Sequence, residues 1–359
     1  RRETCGGARR LIEDPGHAAA VSLVIRRPGL TVPVRIDATG ASGPTKGRAQ
    51  GSNWRRSSPG LYVPAEAERS LAQDIVEVAA GLPVGAAITG WAALYWMGAP
   101  YQPTHHADGT RAHIEVAIGD HAALQPRRGV TTSGDWLLPG DVIDVDGLPV
   151  TRPERSVSYA ARRAWSLDLA VRIIDMAALG NLVDVAALRR YVTRLGARPG
   201  VVQLRDAVDL ADENSWSPME THMRLRWSDA VRRRPLTNRP IFDAYGIRLC
   251  TPDLFDPVLG VVGEYDGEVH DESRVRARDL TREELYRDLG FEVARMIAVD
   301  RRSAQFEGRL HAAYRRAAAR PLRGGWTLEP PPGWVDTTSV ARRRELSPEA
   351  RARWAAARC

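Results

Sequence analysis

The chain has 359 residues, 43% of them hydrophobic and 26% charged, which is typical of a globular protein long enough for two or three domains. The net charge of +7 and the pI near 9.7 favour a polyanionic partner, nucleic acid before a membrane surface, although some chains are simply basic. Lys46 is the only lysine, which excludes a mechanism that needs a lysine base or Schiff base elsewhere in the chain.

The cysteines are scattered along the chain without the spacing of a zinc site, at Cys5, Cys250 and Cys359. This usage indicates a reducing compartment rather than a disulfide scaffold. The sequence also lacks an apolar run of the length that spans a bilayer. Together these features predict a cytoplasmic protein with no membrane partner.

The N-terminal part predicts an α+β region over residues 56–150, after a poorly defined and partly disordered start over residues 1–55. Apolar residues recur with a helical period over Glu68–Ala80, and Ala86–Met97 predicts a second helix whose aromatic residues belong to the core. Asp141–Thr151 predicts a hairpin with an Asp-Gly turn.

Three further regions are predicted downstream. Residues 151–213 predict a helical connector, with clear helical periods over Leu167–Leu179 and Val201–Leu210. Residues 214–320 predict an α/β domain, and residues 321–359 predict a Pro-rich linker and a basic tail.

The α/β domain opens with a well-marked helix over Ser217–Arg234. Ser217 is suited to the N-cap and Pro218 to the first turn. Glu220 completes a capping box, which is a sufficient structural explanation for its position. The functional alternative is that the helix delivers this carboxylate to a metal site.

Several acids surround a short apolar run in Leu249–His270, which reads LCTPDLFDPVLGVVGEYDGEVH. A buried strand is predicted over Val258–Val262, with Asp253 before it and Glu264 at its far end. Strand residues alternate between faces, so Glu264 and Asp266 are expected on the same side. If Asp253 lies on a neighbouring strand, the carboxylates converge and require a divalent cation, Mg²⁺ or Mn²⁺, between them.

Other residues around these acids have both functional and structural interpretations. His270 has a side chain suited to proton transfer near neutral pH, or it is a loop residue. Asp266 binds the metal through water or orients that histidine, whereas Asp266–Gly267 is also a common turn. Arg278 and Arg282, on a helix predicted over Ser273–Leu289, contact DNA phosphates or lie on a solvated face.

The order of elements and motifs over roughly Ser215–Ala319 resembles that of a known nuclease superfamily. It consists of a helix with S-P-x-E, a strand, an aspartate, a strand ending in E-Y-D-G-x-x-H, an arginine-bearing helix, a G-F strand and a helix. This combination resembles the restriction-endonuclease-like (PD-(D/E)XK) superfamily, and within it the domains related to very-short-patch-repair endonucleases. The resemblance implies a mixed central sheet flanked by helices.

The resemblance also implies roles for matching positions. Asp253 corresponds to the first metal-ligand acid and Glu264 to the second. Glu220 corresponds to the acid carried by the first helix, and His270 to the histidine of the repair-nuclease branch. Asp266 stands where the superfamily usually has a lysine, which the repair-nuclease branch also lacks.

The upstream region resembles the AbiEi-type antitoxin region that actinobacterial proteins join to such a domain. The segments that carry this resemblance are Ser58–Val63, Ala87–Gly98 and Gly147–Arg155. The resemblance implies a winged-helix segment and a toxin as a partner.

The sequence therefore predicts a Mg²⁺-dependent DNA endonuclease that acts in repair, restriction or phage defence. One alternative is a non-catalytic, DNA-binding transcriptional regulator, and another is an antitoxin that neutralises a partner toxin. Cleavage of both DNA strands requires a dimer or two successive binding events, and the sequence leaves both open.

Overall fold

The computed structural model describes most of the chain, and it shows a mixed α/β protein. The described residues are 23–102, 104–105, 108–119, 127–267 and 282–356. His270 and Arg278 therefore lie outside the described residues. Within the described ranges, no helix combines the length and the apolar character needed to cross a membrane.

The chain divides into two compact units. The first unit comprises Arg1–Ala92 and His105–Arg152, and the second comprises Ala93–Thr104 and Pro153–Cys359.

The first unit contains two sheets and helix α1 (Leu71–Ala79), which begins at the N-cap Ser70. A three-stranded sheet has the order β1-β3-β2, with strands β1 (Val34–Arg35), β2 (Trp54–Ser58) and β3 (Leu61–Pro64). A five-stranded sheet has the order β6-β5-β4-β8-β7, with strands β4 (Ala87–Ile88), β5 (Ile114–Ala117), β6 (Val130–Ser133), β7 (Val142–Val145) and β8 (Leu148–Thr151).

Two sequence predictions in this region have different outcomes. The hairpin is confirmed, because both turn residues adopt the left-handed conformation of a two-residue hairpin turn, with φ of 53° at Asp146 and 84° at Gly147. The single helix over Ala86–Met97 is partly wrong. Its first residues form β4, which pairs with β5 and β8, and helix α2 (Gly90–Trp96) begins only afterwards. A short run that is apolar on every side suits a central strand as well as a buried helix.

From Pro153 onward, the second unit contains four successive helices, as predicted. They are α3 (Pro153–Arg163), α4 (Leu167–Leu179), α5 (Val185–Thr193) and α6 (Val201–Leu210). Helix α4 packs against α3 and α6 and also contacts α7 (Pro218–Val231), the helix predicted over Ser217–Arg234. The predicted end of α7 at Arg234 is wrong, because Arg232 takes a left-handed conformation, with φ of 55°, that terminates the helix.

A four-stranded mixed sheet follows, with the order β14-β13-β12-β9. Its strands are β9 (Leu236–Thr237), β12 (Leu254–Asp256), β13 (Val261–Asp266) and β14 (Glu292–Ile297). Strand β12 is antiparallel to β9 and β13, whereas β14 runs parallel to β13. A separate hairpin consists of β10 (Ile241–Phe242) and β11 (Arg248–Cys250).

Helices cover both faces of this sheet. Helices α7 and α9 (Gln305–Ala318) pack with Val261 in one buried cluster, where Met223, Trp227, Phe306 and Leu310 are fully buried. Helix α8 (residues 282–288) contributes Tyr286 to a second cluster, which contains Phe255 and Val262. The alternation of Val261 and Val262 between the two clusters is the two-residue period of a strand buried on both faces.

The predicted strand over Val258–Val262 is displaced by a turn. Val258 is 63% exposed and lies in a turn whose backbone is held by Asp256. Asp256 Oδ1 accepts from the Val258 amide at 2.9 Å, and its carbonyl accepts from the Gly260 amide, also at 2.9 Å. The strand therefore starts at Val261 and carries Glu264 inside it rather than after its end.

The C-terminal segment packs on the rest of the second unit. Trp326 lies against Phe255, with ring centroids 5.4 Å apart. Helices α10 (Val340–Arg344) and α11 (Pro348–Ala356) follow, and the fully buried Arg343 donates to the Ala178 carbonyl at 2.8 Å, at the end of α4.

Candidate metal centre

Two carboxylates meet across neighbouring strands of the mixed sheet. Strands β12 and β13 pair with Leu254 opposite Gly263, so the next step of the same antiparallel register brings Asp253 opposite Glu264. The Tyr265 amide donates to Asp253 Oδ2 at 2.8 Å, which ties this carboxylate to the backbone of β13. The packing beneath this pair is close, since a Cβ on Gly263 would lie 2.8 Å from the Trp227 ring.

Two residues of helix α8 hold one oxygen of Glu264. The Tyr286 hydroxyl donates to Glu264 Oε1 at 2.5 Å, and Arg282 Nη2 lies 3.2 Å from the same oxygen. Arg282 also donates from Nε to the Tyr286 hydroxyl at 3.0 Å and from Nη2 to the Thr251 carbonyl at 2.8 Å. Only 12% of the Glu264 side chain is exposed.

Glu220 is held by the N-terminal turn of α7 and by a buried asparagine. Ser217 Oγ accepts from the Glu220 amide at 3.1 Å, which is the predicted N-cap bond. The reciprocal bond differs from a standard capping box, because Glu220 Oε2 accepts from the Trp216 amide at 2.8 Å. The same oxygen accepts from Asn238 Nδ2 at 2.6 Å.

Asn238 and Asn214 bind each other's backbone. Asn238 Nδ2 donates to the Asn214 carbonyl at 2.8 Å, and Asn214 Nδ2 donates to the Asn238 carbonyl at 3.1 Å. The Asn238 amide donates to the Asp253 carbonyl at 3.0 Å. Asn238 therefore connects the backbone of Asp253 with the carboxylate of Glu220.

Burial raises the pKa values of all three acids, and the negative charge of Asp253 raises those of the two glutamates further. Burial, and next the negative charge of Asp253, raise the pKa of Glu264 to about 8. The same two causes raise the pKa of Glu220 to about 8. Burial also raises the pKa of Asp253, while the Tyr265 amide and Arg282 oppose that shift. Without a cation, the glutamates therefore tend to keep their protons at neutral pH.

The donor set fits a cation held by two protein carboxylates. Asp253 and Glu264 each use one carboxylate oxygen in the bonds above, and the other oxygen accepts no hydrogen bond from the described residues. Among the residues that the structure describes, no group of three or more His, Cys, Asp or Glu side chains is arranged to hold a metal ion. Mg²⁺ is commonly held by one or two carboxylates, with water and substrate phosphates completing its shell.

The other predicted site residues differ in their position relative to Asp253 and Glu264. Asp266 is exposed at the end of β13 and does not form a three-acid metal group with Asp253 and Glu264. Asp266 is the last residue of β13, two residues beyond Glu264, and it therefore lies at the solvent-exposed end of the strand. Arg282 contacts Glu264 directly, so it is not confined to a solvated helix face. His270 and Arg278, as stated above, are not among the described residues.

Sequence reasoning missed Tyr286 and the two asparagines. The spacing of Arg282 and Tyr286 is i, i+4, which places both side chains on one face of a helix, and this signal was available in the sequence. Asn214 and Asn238 are separated along the chain and give no comparable signal.

In comparisons with known proteins, the chain matched no protein-family model, no curated protein and no solved structure.

Proposed function

We propose that this protein is a divalent-metal-dependent DNA endonuclease that acts in repair, restriction or phage defence. The observation that carries the proposal is the pair formed by Asp253, which directly precedes β12, and Glu264, which the register of β12 and β13 brings opposite it. Each of these acids has one carboxylate oxygen without a hydrogen bond from the described residues. Mg²⁺ or Mn²⁺, when bound there, supplies polarisation of a phosphate and a more acidic water.

The surrounding residues prepare this pair for a metal and a phosphodiester. The Tyr265 amide fixes Asp253, and Tyr286 with Arg282 fixes Glu264, so both free oxygens have restricted positions. Arg282 uses Nε and Nη2 in its bonds to the protein, which leaves Nη1 for a phosphate oxygen. Glu220 lies close enough to Asp253 for the negative charge of that acid to raise its pKa.

Three further features support the proposal. The order of α7, β12, β13, α8, β14 and α9 follows the order of motifs on which the resemblance to the restriction-endonuclease-like superfamily depends. The net charge of +7 suits a nucleic-acid substrate. The place of the usual lysine is taken by Asp266, and Arg282 supplies a positive charge at the acid pair instead.

A plasmid-nicking assay tests the proposal. Supercoiled plasmid is incubated with the full chain in Mg²⁺ or Mn²⁺ and, as a control, in EDTA. We expect nicking that requires the metal and disappears in Asp253→Asn and Glu264→Gln. Asp209→Asn is the matched control, because Asp209 is an acid of the same unit whose side chain is 70% exposed and lies in α6, outside the acid pair.

Two results would point to another function. If the wild-type chain fails to nick plasmid both in Mg²⁺ and in Mn²⁺, the endonuclease proposal fails. Metal-independent, salt-dependent binding to DNA would then favour the transcriptional regulator, and capture of a toxin would favour the antitoxin.

A further inference from the structure

We propose that Tyr286, supported by Arg282, is the positioning residue that directs the free oxygen of Glu264 towards a divalent cation. This inference rests on the proposed function, because it assumes that Asp253 and Glu264 are the cation ligands.

The Tyr286 hydroxyl has little freedom to move. The residue is only 2% exposed, and its ring lies in the cluster with Phe255 and Phe291. The hydroxyl lies between two partners, donating to Glu264 Oε1 at 2.5 Å and accepting from Arg282 Nε at 3.0 Å. Because the hydroxyl oxygen accepts from Arg282 Nε, its own proton is directed to Glu264 Oε1.

Arg282 connects the two sides of the acid pair. Its Nη2 donates to the carbonyl of Thr251, two residues before Asp253, and lies 3.2 Å from Glu264 Oε1. One guanidinium therefore contacts both the segment that leads to Asp253 and the side chain of Glu264. Its planar geometry fixes these contacts more firmly than a lysine ammonium would.

These contacts give the two oxygens of Glu264 different roles. Oε1 accepts from the tyrosine and is paired with the arginine, while Oε2 has no hydrogen bond from the described residues. A cation ligand whose second oxygen is hydrogen-bonded keeps its orientation, and the loss of such a partner typically weakens metal binding about 10–100-fold.

The same contacts have an opposite interpretation. If Tyr286 and Arg282 simply satisfy a buried carboxylate, they replace the cation, and the removal of the hydroxyl would then make Glu264 more available to a metal. The two interpretations predict opposite changes in metal affinity.

Manganese binding separates them. Binding of Mn²⁺ to the full chain is measured by titration calorimetry and by the electron paramagnetic resonance spectrum of the bound ion, for the wild type and for Tyr286→Phe. The variant keeps the ring and loses only the hydroxyl. The matched control is Tyr314→Phe, because the Tyr314 hydroxyl also donates to a buried carboxylate, Asp256 Oδ2 at 2.8 Å, but has no contact with the acid pair.

We expect Tyr286→Phe to weaken Mn²⁺ binding about 10–100-fold and to alter the spectrum of the bound ion, and we expect Tyr314→Phe to leave both unchanged. Circular dichroism melts establish that each variant is folded. Unchanged or tighter binding by Tyr286→Phe overturns the inference, and so does a wild-type chain that binds no Mn²⁺.

Failure of this inference differs from failure of the proposed function. A wild-type chain that binds Mn²⁺ but nicks no plasmid refutes the endonuclease, and weaker binding by Tyr286→Phe still supports its positioning role. A chain that nicks plasmid while Tyr286→Phe binds Mn²⁺ normally retains the proposed function and refutes the positioning role.

Discussion

Replacing Glu264 with glutamine should stabilise the metal-free protein at high pH and have no effect at low pH. The pKa of Glu264 is raised to about 8 in the folded chain, from an ordinary value of 4.5, chiefly by burial. The folded state therefore binds more protons than the unfolded state between these two values, and stability falls as the pH rises through that window. Glutamine keeps an oxygen that accepts from Tyr286 but cannot ionise.

The size of the effect follows from the shift. Each pKa unit corresponds to about 1.4 kcal/mol, so the ionisation of Glu264 in the metal-free fold lowers the free energy of unfolding by up to about 5 kcal/mol above pH 8. Below about pH 4 the carboxyl is protonated in both states, and the two proteins should unfold with the same free energy.

Urea unfolding of the wild type and Glu264→Gln in EDTA, at several values between pH 4 and pH 9, measures this difference. Because both proteins share every other titrating group, the difference reports the ionisation of Glu264 together with its interaction with Asp253. Added Mg²⁺ should reduce the gap at high pH by stabilising the wild type. A gap that is constant across the pH range, or that is largest at low pH, would refute the reasoning.

Two further substitutions test the framework behind the site. Gly263→Ala would place a Cβ 2.8 Å from the Trp227 ring and 3.2 Å from the Leu254 Cβ, so we expect a loss of about 1–3 kcal/mol in urea unfolding; an unchanged midpoint would show that α7 does not pack this closely. Arg224→Met leaves the buried Asp175 without its partner at 2.8 Å, which should cost about 3–5 kcal/mol at pH 8. Burial raises the pKa of Asp175 to about 6, so the same variant should lose less at pH 5, and an equal loss at both values would argue against this pair.

The helices of the second unit could be predicted closely from local signals. The predicted bounds of Leu167–Leu179 and Val201–Leu210 coincide with α4 and α6. The helical period marks the buried face, and the side chain of Ser166 caps α4 by accepting from the Leu169 amide. Such signals depend only on neighbours within a few residues, so they can be recognised without knowledge of the tertiary fold.

The start of β13 could not be predicted in this way. Residues 257–260 are as apolar as the strand that follows, and composition alone does not separate an apolar turn from an apolar strand. The turn depends on Asp256, whose backbone and side chain bind the amides of Val258 and Gly260. The prediction consequently placed the strand three residues too early.

The acid pair could be predicted from the sequence, whereas the contacts of its supporting residues could not. The placement of Asp253 beside Glu264 follows from two short strands joined by a turn, and this arrangement can be anticipated from the sequence. The contacts of Tyr286 and Asn238 depend on tertiary packing between elements that are distant in the chain. A sequence pattern contains no distance between such elements, so these contacts emerge only from the structure.

Metal-dependent nicking of supercoiled plasmid tests the central claim most directly. We expect the purified chain to relax plasmid in Mg²⁺ or Mn²⁺, and Asp253→Asn and Glu264→Gln to lose this activity while remaining folded. A chain that leaves the plasmid intact with both metals, or variants that nick as fast as the wild type, would contradict it.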